Sequence, residues 1–189
     1  MRKEEYITPS GVRSSSRKDA ILAPPVQVAG ASMVFARRIP PRWFVATAEH
    51  ESGMALNEID TEADGYVSKG IWQLSDTEAA GLDPYHLIES TEAFARLQEK
   101  RLSHLLTLPG VKLSDPSIWA YLAISHNQGP AAAEKTVRLW GMNWAAYKRR
   151  NRESANPYLA QFCKDGGYGD AVISGGDRWW AVSEAVNGK

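Results

Sequence analysis

From Pro40 onward the chain is cut into short pieces by residues that start and stop helices. Pro41 suits a first helical position and Gly53 a stop, with RWFVATAEHESG between them. Ser75 and Glu78 have the S-x-x-E spacing of a capping box, and Gly81 closes that short helix. Ser114-Asp115-Pro116 opens another, which runs through IWAYLAISHNQ and ends at Gly129-Pro130. In residues 91–107, TEAFARLQEKRLSHLLT, the apolar positions Phe94, Leu97, Leu102, Leu105 and Leu106 recur at helical spacing and point inward. Residues 131–139, 143–150 and 157–164 predict three more short helices. Strand signals are almost absent, and at most a small hairpin fits within 57–73. The expected fold class is therefore mainly α, with the folded body over residues 37–165.

The two ends differ from this body. Residues 1–36 carry Ser14-Ser15-Ser16, Pro24-Pro25 and a Pro9-Ser10-Gly11 turn signal, with no helical period. They are expected to be an N-terminal arm, either disordered or extended along a partner protein. Residues 166–189 are Gly-rich, with Trp179-Trp180 near the end, and are expected to form a C-terminal tail. A length of 189 residues suits one domain with arms.

The 22 Lys/Arg balance 22 acids, which argues against a dedicated nucleic-acid binder. That balance hides an asymmetry: residues 1–42 hold eight Lys/Arg and three acids, net +5, and the remainder is net −5. Cys163 is the single cysteine, so neither an intrachain disulfide nor a Cys-based zinc site is expected. The start has no apolar core of a secretory signal, and no stretch approaches the ~18 apolar residues of a membrane span.

Three places in the body carry residues suited to chemistry. On the helix between Pro41 and Gly53, positions Phe44, Thr47, Ala48 and Glu51 share a face. Glu49 falls well round the helix from them and is expected in solvent. A carboxyl on an apolar face resists ionisation, which suits a general acid. The alternative is a Glu at a helix end that turns outward. In Gly70-Ile71-Trp72-Gln73-Leu74-Ser75, expected to be a buried strand or a plain core segment, Gln73 is the odd member, because a buried amide needs partners. Third, Ser125-His126-Asn127-Gln128-Gly129 closes a helix, where Asn127 either caps or binds. Asp60-x-Glu62-x-Asp64-Gly65 matches the start of an EF-hand loop, but Ile71 stands where the bidentate Glu belongs. An acidic loop with no bound metal is the expectation there.

Taken in order, Glu51-Ser52, Gly70-Ile71-Trp72-Gln73 and Ala123-Ile124-Ser125-His126-Asn127-Gln128-Gly129 resemble the soluble lytic transglycosylase domain, whose fold goose-type lysozymes share. The resemblance covers about residues 40–165. His126 stands where that family has Tyr, and Asn127-x-Gly129 matches its Asn-x-Gly. The family's late Tyr, beside the catalytic Glu, is matched by Tyr158 in RRNRESANPYLAQF, with Glu153 one residue out of register.

The resemblance implies a lysozyme-like fold and cleavage of the β-1,4 link between N-acetylmuramic acid and N-acetylglucosamine in peptidoglycan, with no cofactor. It makes Glu51 the catalytic acid and base. Ser52, Gln73 and Asn127 would contact substrate, and Tyr158 would orient Glu51. Trp72, Tyr66 or Trp119 would stack on sugar rings or pack in the core. Alternatives are a goose-type hydrolase in which Asp60 or Asp64 positions a water, a phage endolysin, and an inactive lysozyme-like structural module. Delivery to a wall substrate without a signal peptide implies a bacteriophage virion or tail protein, docked to other virion proteins through its arms.

Overall fold

The computed structural model describes residues 4–8, 11–15, 19–61 and 65–174. Trp179-Trp180, Glu62 and Asp64 lie outside them. Strands β1 (Glu4–Thr8) and β2 (Gly11–Ser15) pair antiparallel, Thr8 opposite Gly11. Helices α1 (Pro25–Phe35) and α2 (Pro41–Ser52) follow, then the hairpin β3 (Ile59–Thr61) and β4 (Val67–Lys69). The rest of the described chain is helical: α3 (Asp76–Ala79), α4 (Leu87–Leu105), α5 (Ile118–Asn127), α6 (Pro130–Trp140), α7 (Trp144–Asn151), α8 (Pro157–Cys163) and α9 (Tyr168–Ser174). The mainly α expectation holds. The described residues divide into two compact units, the first ending at Leu97 and the second beginning at Gln98, within α4.

The helix boundaries follow the punctuation. α2 begins with Pro41 at its first position and stops at Gly53, which is left-handed (φ 61°) and returns its N–H to the Ala48 carbonyl. The Ser75–Glu78 capping box forms with both of its hydrogen bonds. Gly129 has φ 84° with open space where a Cβ would sit, so it is backbone conformation that favours glycine between α5 and α6.

Residues 1–36 are not an arm throughout. Pro25–Phe35 form α1, which packs on α2 with Val28, Ala31 and Ser32 buried. Before it, the chain lies along residues 54–57: Ala23 N–H donates to the Met54 carbonyl (2.9 Å) and Leu56 N–H to the Ile21 carbonyl (2.8 Å). The Asn57 side chain accepts from Ile21 N–H and donates to the Asp19 carbonyl. The sequence hides this helix because α1 has no polar face, so its apolar residues show no period.

The first unit is centred on rings. Phe94 of α4 stacks on Trp72 (4.4 Å between centroids) and on Trp43 (5.8 Å), and Phe44 meets Trp43, Trp72 and Phe94 edge-on. In the second unit α5 is buried from Ile118 to Ser125 and packs on α6 and α9. The expected tail at 166–189 therefore begins as structure. Gly169 lets α9 press against Trp144, since a Cβ there would lie 2.3 Å from the Trp144 ring.

Candidate functional site

Glu51 lies in the last turn of α2 and is half-buried. Phe44, Thr47 and Ala48, on the same face, are fully buried. Glu49 departs from expectation: it is only 7% exposed, more deeply placed than Glu51. Every residue from Trp43 to Glu49 is buried, because α2 is covered on more than the one face that its own periodicity reveals, with α1 packed along it. Glu58 is buried as well. Acids are mostly exposed, so the buried Glu49 and Glu58 join Glu51 as carboxyls of interest, although neither carries a sequence signal.

Ser52 ties this helix end down. Its hydroxyl reaches the carbonyls of Ala48 (3.2 Å) and, across the chain, Ile71 (3.0 Å), and the side chain is buried. The hydroxyl proton is thus used within the protein, which gives Ser52 a structural role at this helix end.

Residues 70–73 form a tight turn, not the strand that was one expectation. It is closed by reciprocal Lys69–Leu74 backbone hydrogen bonds of 2.9 Å. Gly70 has φ 73°, and a Cβ there would sit 1.9 Å from the Pro84 carbonyl oxygen, so both conformation and space exclude a side chain. Gln73 is also left-handed, with φ 50°. Its amide finds partners within its own loop: Oε1 accepts from Ser68 Oγ (2.8 Å) and Nε2 donates to the Gly70 carbonyl (2.8 Å). An amide has capacity beyond these two bonds, so Gln73 is held rigidly and keeps a donor and an acceptor site.

Trp72 is a correction. It is fully buried in the ring stack, and its indole N–H donates to Thr91 Oγ1 (3.2 Å), so it is a core residue and not a sugar platform. Trp119, at 7% exposure, is core as well. Tyr66 stays exposed and donates to Glu78 Oε2 (3.2 Å). Asp60 is exposed in the middle of β3, and no cluster of three or more metal-ligating side chains occurs among the described residues.

Asn127 and Tyr158 belong to the second unit. Asn127 is the last residue of α5 and half-buried; the cap is Gln128, whose N–H returns to the Ile124 carbonyl. Tyr158, at the start of α8, stacks on Phe162. Next to Asn127, His126 receives Arg101 Nη1 (3.0 Å) and Gln98 Nε2 (3.4 Å) at its Nδ1. A guanidinium can only donate, so Nδ1 accepts and the neutral ring carries its proton on Nε2. Gln98 and Arg101 follow Phe94 by four and seven residues on α4, so polar residues on that apolar face were the available signal.

The structure thus brings together Glu51, Ser52 and the 70–73 turn in one unit, and Asn127 with His126 in the other. Comparison with protein families, with curated proteins and with solved structures finds no match for this chain.

Proposed function

We propose that the protein is a peptidoglycan lytic transglycosylase with a lysozyme-like fold. The observation that carries this reading is the Ser52 Oγ–Ile71 carbonyl bond, which joins the helix end bearing Glu51 to the turn bearing Gln73, two of the motifs on which the resemblance rests. In the proposed reaction the Glu51 carboxyl gives its proton to the glycosidic oxygen as the C1–O bond breaks. The resulting carboxylate then takes the proton of the muramoyl 6-hydroxyl as that oxygen bonds to C1. The product is a 1,6-anhydro end, water is not consumed, and one carboxyl serves both steps, unlike the usual glycosidase pair. Gln73 would hold sugar hydroxyl or N-acetyl groups and Tyr66 would stack on a ring; for Asn127 and Tyr158 the roles proposed are those the resemblance implies, substrate binding and orientation of the acid.

Mass spectrometry of purified peptidoglycan after digestion tests this. Anhydro ends support the transglycosylase; reducing ends replace it with a goose-type hydrolase; an intact polymer makes the chain an inactive structural module. Glu51→Gln should lower turnover by at least about 10²–10⁴-fold with the fold kept. The burial of Glu49 makes Glu49→Gln the necessary rival: full loss there with activity kept in Glu51→Gln would move the acid to Glu49. For delivery we propose carriage in a bacteriophage particle, docked through segments of 1–36 and 166–189. Deleting all of 1–36 would strip α1 from α2, so the truncation is placed at residue 18. It should spare lysis and abolish incorporation into particles; normal incorporation refutes the docking.

A further inference from the structure

Helix α7 buries Trp144 and Tyr147 on its inner side and carries arginines on its outer one. At 100° per residue, Arg149 and Arg150 straddle the direction opposite those two rings, and both are exposed. Arg152, the cap residue, follows them and is exposed as well. Their neighbour Lys148 shows what a structural cation looks like here: its Nζ pairs with Asp165 and Asp170, and its side chain is largely covered. Arg149 and Arg150 pair with no acid among the described residues. Arg152 stands 3.7 Å from Glu153 and helps from farther off to lower the Asp165 pKa. Cations in a last turn suit the helix dipole, but the dipole leaves the five N–H donors of each guanidinium facing water.

The positive charge is local. Residues 130–164 hold seven Lys/Arg and two acids, net +5, whereas residues 43–99 hold two Lys/Arg and twelve acids, net −10. A nucleic acid or other long polyanion favours a protein with a basic excess, and here the acidic stretch would repel it. A basic row one helix wide suits anions that are short, separate and repeated. A guanidinium takes a carboxylate through two parallel N–H···O bonds. Peptidoglycan offers such groups, because its muramoyl units bear stem peptides of a few residues with free carboxylates. Exposed ion pairs are individually weak, but a strand with many stems keeps a second carboxylate close when the first lets go.

We propose that Arg149, Arg150 and Arg152, on the outer face of α7, dock the protein on the stem-peptide carboxylates of peptidoglycan. The choice of polymer rests on the reading of the chain as a peptidoglycan enzyme, and the docking adds the part of that polymer which holds the enzyme in place.

Pelleting of the full chain with insoluble sacculi free of teichoic acid, in the cold where digestion is slow, tests the docking. Wild type should pellet at low salt, and less as salt rises. Arg149→Glu/Arg150→Glu should raise the dissociation constant about tenfold or more. It should keep the wild-type melting temperature, since both positions are exposed. Arg149→Lys/Arg150→Lys keeps both charges and should stay within about threefold of wild type. Sacculi whose carboxylates have been converted to amides should bind wild type as weakly as untreated sacculi bind the Arg149→Glu/Arg150→Glu protein. Undiminished binding by that variant, or of wild type to the amidated sacculi, overturns the proposal. So does binding of DNA that is tighter than binding of sacculi and is lost in the same variant, which would give the row to phosphates. Release of anhydro ends from the same sacculi on warming reports the proposed reaction separately. Release without arginine-dependent binding sinks the docking alone, and arginine-dependent binding without release sinks the transglycosylase alone.

Discussion

In the first unit Phe94 stacks on Trp43 and Trp72, and the Trp72 indole N–H ends on a nearby threonine. In the second unit one ring of the aromatic cluster, Trp144, is held by its polar end. Trp144 donates to Asp170 Oδ1 (3.1 Å), while Asp170 Oδ2 takes Lys148 Nζ and the Gly166 N–H. Lys148 also pairs with Asp165 at 2.7 Å. Around this clamp, burial pushes the Tyr147 hydroxyl up to about 12 and the Cys163 thiol up to about 12. The Tyr121 hydroxyl is raised by burial too and lies buried without a hydrogen-bond partner. A ring stack depends on volume and fails when volume is removed, whereas a clamp depends on paired charges and responds to single atoms and to pH.

The largest test of that contrast is Phe94→Ala. It empties the centre of the stack and should cost about 3–5 kcal/mol, read by chemical denaturation with tryptophan fluorescence; a cost below 1 kcal/mol would mean that the rings carry little. Gly70→Ala comes next. Its Cβ would meet the Pro84 carbonyl at 1.9 Å from a backbone at φ 73°, and clash and strain together should cost on the order of 2–4 kcal/mol. Lytic activity should fall with it if the 70–73 turn supports the site. A folded Gly70→Ala protein with normal turnover would separate that turn from function.

In the second unit, Asp170→Ala leaves the Trp144 N–H and one arm of Lys148 unmatched. It should cost about 1–3 kcal/mol, seen as a lower thermal midpoint with near-UV circular dichroism reporting Trp144. The smallest effect is that of acid. The hydrogen bond from Lys148 holds the Asp165 carboxyl below its ordinary range. A depressed carboxylate pKa adds stability above the unfolded value, about 4 for Asp, and loses it as pH falls through the folded one. The midpoint should therefore drop more steeply below about pH 4 in wild type than in Asp165→Asn. The drop is small because Asp165 is well exposed and its pairing is screened by water. Equal slopes would remove Asp165 from the clamp.

Where helices begin and end was legible because capping is local. Pro41, Gly53, Ser75, Glu78 and Gly129 act within a turn of themselves, and each does in the fold what its type dictates. The inward face of α4 was legible in part for the same reason: Phe94, Leu102 and Leu105 are buried as their spacing requires, while Leu97 and Leu106, expected with them, are half-buried. Three things needed tertiary structure. Helix α1 is apolar on both sides, so no period announces it. Glu49 is buried by packing on a side of α2 that its own sequence reads as solvent. Trp72 and Ser52, set beside Glu51 and Gln73 by the family pattern, turn inward, the one to stack on Phe94 and the other to bind the Ile71 carbonyl. A sequence states which residues prefer to be covered and where the backbone bends, because those preferences belong to single residues and their near neighbours. Which side of a helix is covered, and by what, depends on segments brought together from afar, and only the packed chain decides that.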